Sequence, residues 1–395
     1  MRRVRVYDWS TIAGDAFDEF CLNPPAGGWF PALQELDWEI TESNLSYVDL
    51  FLSPHLRAYS LVTPWSWNGC EVSRDLLETI ASTLHALPAS ALQILFIDFR
   101  SCDADAHSTY LKESLSSTIL RCGISLTELT SLVPLSDAAI NHLIQLPHLH
   151  TWHIEGPPPN YSPSSLPRDF PPLTELNLGG GAGRGWVYLF QHLEDGVSAL
   201  GGVTPLSKVK KSLKWLNIED TSLLIDVSFI SKIPKFQNLV RLNVRGHEED
   251  REDQCTFGLS DECVTNLAMA LPRLEFLGLG PPCPKNTCAT TVACLLQISV
   301  HCVKLRTLEI HFNTTNIVDD LKNISKDLLF QELRSLPKCT LTKLFVDRMP
   351  LTLDEPGFGT VVDGMIAIFP SLERCLGSGE AWIELSKRIT RFRQT

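Results

Sequence analysis

Several groups of residues in this 395-residue chain have types and spacings that invite a chemical reading. The run GGGAGRG (179–185) has the small residues needed for close approach to a phosphate. A nucleotide loop of that kind closes on Gly-Lys-Ser/Thr, whose lysine and hydroxyl hold the phosphates and the metal. Here Arg184, Gly185 and Trp186 follow, so the run reads as a plain loop. Cys283, Cys288, Cys294 and Cys302 invite a metal reading, but structural zinc wants two close pairs such as Cys-x-x-Cys, and these four form none. Cys294 and Cys302 fall in and just after a helical run, where a free thiol acts as a small apolar filler. Histidines, aspartates and serines are plentiful, yet no serine stands in Gly-x-Ser-x-Gly. We therefore expect no enzyme activity, no cofactor and no metal. Lys208, Lys210, Lys211 and Lys214 read as a solvated loop, with a nuclear localisation signal as the alternative. A different set has more content: Trp215, Asn217, Glu219, Arg241, Asn243, Arg245 and Phe276. Aromatic residues and arginine are the types enriched at protein-binding hot spots.

What would bring those seven side chains to one surface is a repeat. In LSDECVTNLAMALPRLEFLGL (259–279), Val264, Leu267, Ala268 and Leu271 recur at the spacing of one helical stripe. Pro272 ends the helix, having no N–H to donate and disfavouring helical geometry before it. Leu274, Leu277 and Leu279 follow, and Leu305, Leu308 and Ile310 repeat the signature. The same Leu-x-x-Leu-x-Leu pattern, with substitutions, is anchored by Leu33, Leu56, Leu92, Leu126, Leu149, Leu173, Leu213, Leu239, Leu341 and Leu372. VRVY (4–7) reads as a first strand and WSTIAGDAFDEF (9–20) as the helix after it. Anchor spacing runs from 23 residues, Leu33 to Leu56, to 40, Leu173 to Leu213. Leucine-rich repeats take roughly 20–29 residues, so several units carry insertions. A doubly wound α/β domain also alternates helix and strand, but no phosphate fingerprint follows the first strand here.

The expected fold is thus α/β: a leucine-rich-repeat solenoid, a horseshoe with an inner parallel sheet and outer helices. We expect residues 1–395 to form one array of about 12–13 irregular repeats, closed by a capping helix near 380–393. Ser73, Ser136 and Ser260 stand where an N-cap is needed. The proline-rich 156–172, the glycine run and the acidic HEEDREDQ (247–254) read as loops.

Side chains alternate along a strand, so residues beside the anchors face out of the concave surface. In the N-terminal half these include Glu35, Asp37, Glu39, Asp98, Glu128, Thr151, His153, Glu155, Glu175 and Asn177, an acidic set. Later come the seven residues named above, then Glu309, His311, Lys343, Phe345 and Asp347. Eleven steps of ~4.8 Å make an arc of roughly 50 Å, enough for a protein partner. The acidic half favours a partner with a basic segment. Trp215 has a second reading, packed beneath the 179–205 insertion.

A net charge of −12 argues against general nucleic-acid binding. No stretch reaches the ~18–20 apolar residues of a membrane span. The opening MRRVRVYDWS has arginines but no apolar run behind them, so it is not a signal peptide. Twelve cysteines without such a signal read as reduced thiols of a cytoplasmic or nuclear protein.

The repeat units, above all HCVKLRTLEI (301–310), resemble the cysteine-containing leucine-rich repeats of F-box proteins. The irregular unit length, the Phe-Pro-x-Leu openings and the closing FPSLERCLGSGEAWIELSKRI resemble the fungal members of that family. The resemblance implies substrate recognition for a cullin–RING ubiquitin ligase. It implies docking on the ligase adaptor only if an F-box lies upstream, since the repeats begin at the start of this sequence. The alternative is a free-standing scaffold or inhibitor that uses the same face.

Overall fold

A computed structural model describes residues 2–6, 25, 29–41, 44–63, 73–99, 105–155, 171–179, 209, 211–220, 230–246, 259–280, 288–326, 338–346, 351–377 and 379–394. The helix expected over 9–20, most of the three loops, Lys208, Lys210, Cys283 and Asp347 lie outside the described residues. The chain forms two compact units, Met1–Val209 and Lys210–Thr395.

In the first unit the strands are β1 (Arg3–Val6), β2 (Glu35–Glu39), β3 (Ala58–Val62), β4 (Ile94–Asp98), β5 (Glu128–Ser131), β6 (Thr151–Glu155) and β7 (Glu175–Gly179). Each runs parallel to the next, in sequence order. The constant register sets Leu36, Tyr59, Leu95, Leu129, Trp152 and Leu176 side by side in one buried row. Between the strands lie α1 (Arg74–Ala86), α2 (Asp105–Arg121) and α3 (Asp137–Ile144), with a 3-10 turn over Leu45–Phe51 in the shorter unit after β2.

The second unit repeats the plan. Its strands are β8 (Trp215–Asp220), β9 (Arg241–Gly246), β10 (Phe276–Leu279), β11 (Thr307–Ile310), β12 (Lys343–Phe345) and β13 (Arg374–Leu376). They pair in parallel, with Leu216, Leu242, Leu277, Leu308, Leu344 and Cys375 in register and buried. The helices are α4 (Asp261–Ala270), α5 (Val292–His301), α6 (Ile317–Lys326), α7 (Glu355–Ile368) and α8 (Glu380–Gln394).

All twelve anchor leucines, from Leu33 to Leu372, are 0% exposed. Each sits just before its strand and is wholly buried, so truncating one costs about 2–5 kcal/mol. The three serines cap as expected: Ser73, Ser136 and Ser260 accept hydrogen bonds from the N–H groups of Leu76, Ala139 and Cys263. Thr291 and Asp354 cap α5 and α7 in the same way.

Neighbouring repeats are tied by donors that reach backward along the chain. Carbonyls at a helix end have acceptor capacity to spare, and the next repeat brings donors to them. Thr118 Oγ1 donates to the Leu84 carbonyl at 3.0 Å, and Arg121 donates to Leu84 and His85 at 2.8 Å. In the second unit Cys302 Sγ lies 3.7 Å from the Ala268 carbonyl and 3.8 Å from that of Leu271. Cys339 Sγ then lies 3.3 Å from the Cys302 carbonyl and 3.7 Å from that of Leu305. A parallel sheet with one buried face, helices or short turns in the described connections and a shared register define each unit as an α/β leucine-rich-repeat solenoid.

Candidate interaction surface

The strand face turned away from the helices carries the polar and aromatic side chains. On β8, β9 and β10 the register pairs Trp215 with Arg241 and Arg241 with Phe276. Trp215 is 42% exposed, so it is not core. The Arg241 guanidinium carbon lies 4.7 Å from the Trp215 ring centroid and 5.8 Å from that of Phe276. Stacking of this kind contributes roughly 0.5–1 kcal/mol at an exposed site, and it fixes a flexible side chain in one place. Arg241 makes no ion pair or side-chain hydrogen bond among the described residues.

Two residues further along the same strands, Asn217, Asn243 and Gly278 share a register position. Asn243 Nδ2 donates to Asn217 Oδ1 at 2.7 Å, and Asn217 Nδ2 donates to Glu219 at 3.4 Å. Gly278 is required there: a Cβ at that position would stand 2.2 Å from Asn243 Oδ1 and 3.2 Å from the Phe276 ring. With no side chain on β10 at that point, Arg245 reaches across to form an ion pair with Glu309 on β11. The structure thus brings Trp215, Arg241 and Phe276 into one cluster, and Asn217, Glu219 and Asn243 into a chain beside it. Arg245 is committed to Glu309.

The first unit has the opposite character. Arg3 bonds both Glu35 and Asp37 at 3.1 Å, and Arg5 bonds Asp37 at 2.9 Å, so part of the acidic face is neutralised by β1. His153 Nε2 lies 3.9 Å from Glu175. Burial holds the His153 pKa below its ordinary value, against the opposing pull of Glu175 and Glu128.

Two expected face residues are not on the face. Asp98 and His311 are both buried. Alternation places a side chain only while the strand lasts: β11 stops at Ile310, and Asp98 is the final residue of β4, where its carbonyl takes the N–H and hydroxyl of Thr63. Conversely Arg374, which the pattern passed over in the degenerate unit anchored by Leu372, is an exposed face residue in register with Lys343. Its signal was present in Leu372-x-Arg374-Cys375, two residues after an anchor.

Among the described residues no group of three or more His, Cys, Asp or Glu is placed to hold a metal ion. Cys288, Cys294 and Cys302 are all buried. No helix among the described residues is long and apolar enough to cross a membrane.

No family model matches the chain, and no curated protein matches it. Among solved structures it is similar to one in the crystal structure of the Rad7 and Elc1 complex in yeast, at 14% identity and a TM-score of 0.43, over 96% of this chain and 78% of that one. It is also similar to the leucine-rich repeat-containing protein LegL7 from Legionella pneumophila, at 10% identity and a TM-score of 0.30, over 98% and 97%. The class of the protein, a leucine-rich-repeat protein, rests on the strand register and the buried anchor leucines.

Proposed function

We propose that the chain is a protein-binding module that performs no chemistry, and that its sheet face captures a partner protein at Trp215, Arg241 and Phe276, with Asn217, Glu219, Asn243 and Arg245 beside them. The observation that carries this reading is the exposed guanidinium of Arg241 held between two aromatic rings. Such a group is already ordered and already partly desolvated, so binding a partner costs little further entropy. On the first unit, Glu128 and Glu175 offer a counterpart to a basic segment of a partner. In the finer reading the module acts inside the cell as the substrate-recognition part of an F-box-type ubiquitin ligase receptor. The resemblance of HCVKLRTLEI (301–310) to F-box repeats supports that step.

Replacing Trp215 and Arg241 together by alanine should lower capture of the partner by at least about tenfold. The thermal midpoint should stay nearly unchanged, because neither side chain is core. Quantitative pull-down with the wild-type and doubly substituted chains, alongside calorimetry, reads both quantities. A large fall in the midpoint would mean that Trp215 is structural and the site misplaced. For the ligase link, an in-frame F-box upstream of Met1 should let the longer chain co-purify with the cullin–RING adaptor. Absence of both would leave the free-standing scaffold or inhibitor.

A further inference from the structure

The first outward position of all six strands in the second unit forms one row in register: Trp215, Arg241, Phe276, Thr307, Lys343 and Arg374. It contains three cations and no acid. Arg241, Lys343 and Arg374 are exposed, and none makes an ion pair or side-chain hydrogen bond among the described residues. The row two residues further along holds one acid, Glu309, already paired with Arg245. The position just before the strands is balanced, with exposed Lys214 and Arg306 against Glu275 and Glu373. Uncompensated positive charge on this face is therefore concentrated in a single line.

We propose that this row is the docking line for an extended acidic segment of a protein partner, its carboxylates meeting Arg241 at one point and Lys343 with Arg374 at another. The inference rests on the reading of the sheet face as a protein-binding surface, and it names the chemistry of the bound segment. Adjacent strands stand ~4.8 Å apart, so Arg241 and Lys343 are separated by about 14 Å. An extended chain rises ~3.3 Å per residue, which puts the two acidic points about four residues apart. Phe276 lies between them and suits an apolar side chain of the segment; Trp215 extends the line at one end. A planar guanidinium stacked as Arg241 is presents its edge donors to a carboxylate. Single-stranded nucleic acid also stacks on aromatics and arginine. It carries a phosphate at every residue, however, and the exposed Glu275 and Glu373 beside the row repel a uniform polyanion. Spaced carboxylates avoid them.

The test is selection of a random dodecapeptide display library on the full chain, followed by fluorescence anisotropy on a synthetic peptide of the enriched consensus. The wild-type chain should enrich peptides with Asp or Glu about four positions apart and an apolar residue between. Replacing those acids by Asn or Gln should weaken binding about tenfold, and so should raising the salt from about 50 to 300 mM. Lys343→Glu with Arg374→Glu should cost a similar factor, Lys343→Gln with Arg374→Gln less, and neither should move the thermal midpoint. Enrichment of neutral or basic peptides, or affinity indifferent to charge reversal, overturns the proposal. Tighter binding of an oligothymidylate of equal length overturns it in favour of nucleic acid. If Trp215→Ala with Arg241→Ala abolishes protein capture while no acidic peptide is selected, this inference fails and the protein-binding reading stands. If neither effect appears, both fail.

Discussion

Cys302 and Cys339 illustrate how a single atom type serves the repeat. Each thiol is buried, Cys302 at the end of α5 and Cys339 shortly before β12, and points at carbonyls of the repeat before it. Burial pushes the Cys302 pKa up to about 12 and that of Cys339 to about 11. Both therefore stay protonated at neutral pH and act as donors rather than nucleophiles. Alkylation with iodoacetamide at about pH 8, read by peptide mass spectrometry, should leave Cys302 and Cys339 unmodified in the native protein and label both in urea. Native labelling at the unfolded rate would contradict the inert, hydrogen-bonded role. In the first unit a hydroxyl and a guanidinium, those of Thr118 and Arg121, do similar work.

At the scale of elements, the helix starts are the joints. Ser260 caps α4, and the next residue, Asp261, receives both the N–H and the hydroxyl of Thr291 at 2.7 Å. One helix start thus holds the start of the following helix. Ser260→Ala should lower stability by about 1 kcal/mol in urea denaturation, with Ser260→Asp retaining most of it; an unchanged midpoint would mean the cap is idle. Much of this was legible in the sequence. The anchors could be found because a leucine that must be wholly buried tolerates few substitutes, and the serine caps because a helix start needs an acceptor. Trp215 and Arg241 were legible because strand alternation is strict. Their stacking on each other, and on Phe276, was not, since register across an insertion of unknown path fixes which strands are neighbours only when they are seen paired. Asp98 and His311 failed at strand ends, where alternation breaks down. Arg374 was missed because Cys375 replaces the leucine that marks the pattern. The bridge from Asp261 to Thr291 joins residues thirty apart and leaves no local trace.

For the whole molecule, a stack has ends, and an end must be covered or it will associate. In the second unit α8 lies over the last strand, burying Trp382, Leu385 and Ile389. The Trp382 ring sits so close to Gly377 that a Cβ there would stand 2.8 Å from it. Arg388 ties α8 to α7 through two 3.0 Å bonds to Glu355 and rests on the Phe358 ring at 4.7 Å. Trp382→Ala should cost about 3–5 kcal/mol and bring light scattering in dilute solution as the final repeat is exposed; a chain that stays monodisperse would deny α8 its covering role. The backward reach of Thr118, Arg121, Cys302 and Cys339 has a consequence for how the chain is made. A ribosome releases the N-terminal repeats first, and where these four residues stand the repeat that emerges next brings a further donor to carbonyls already in place. At these joints synthesis and assembly run in the same direction.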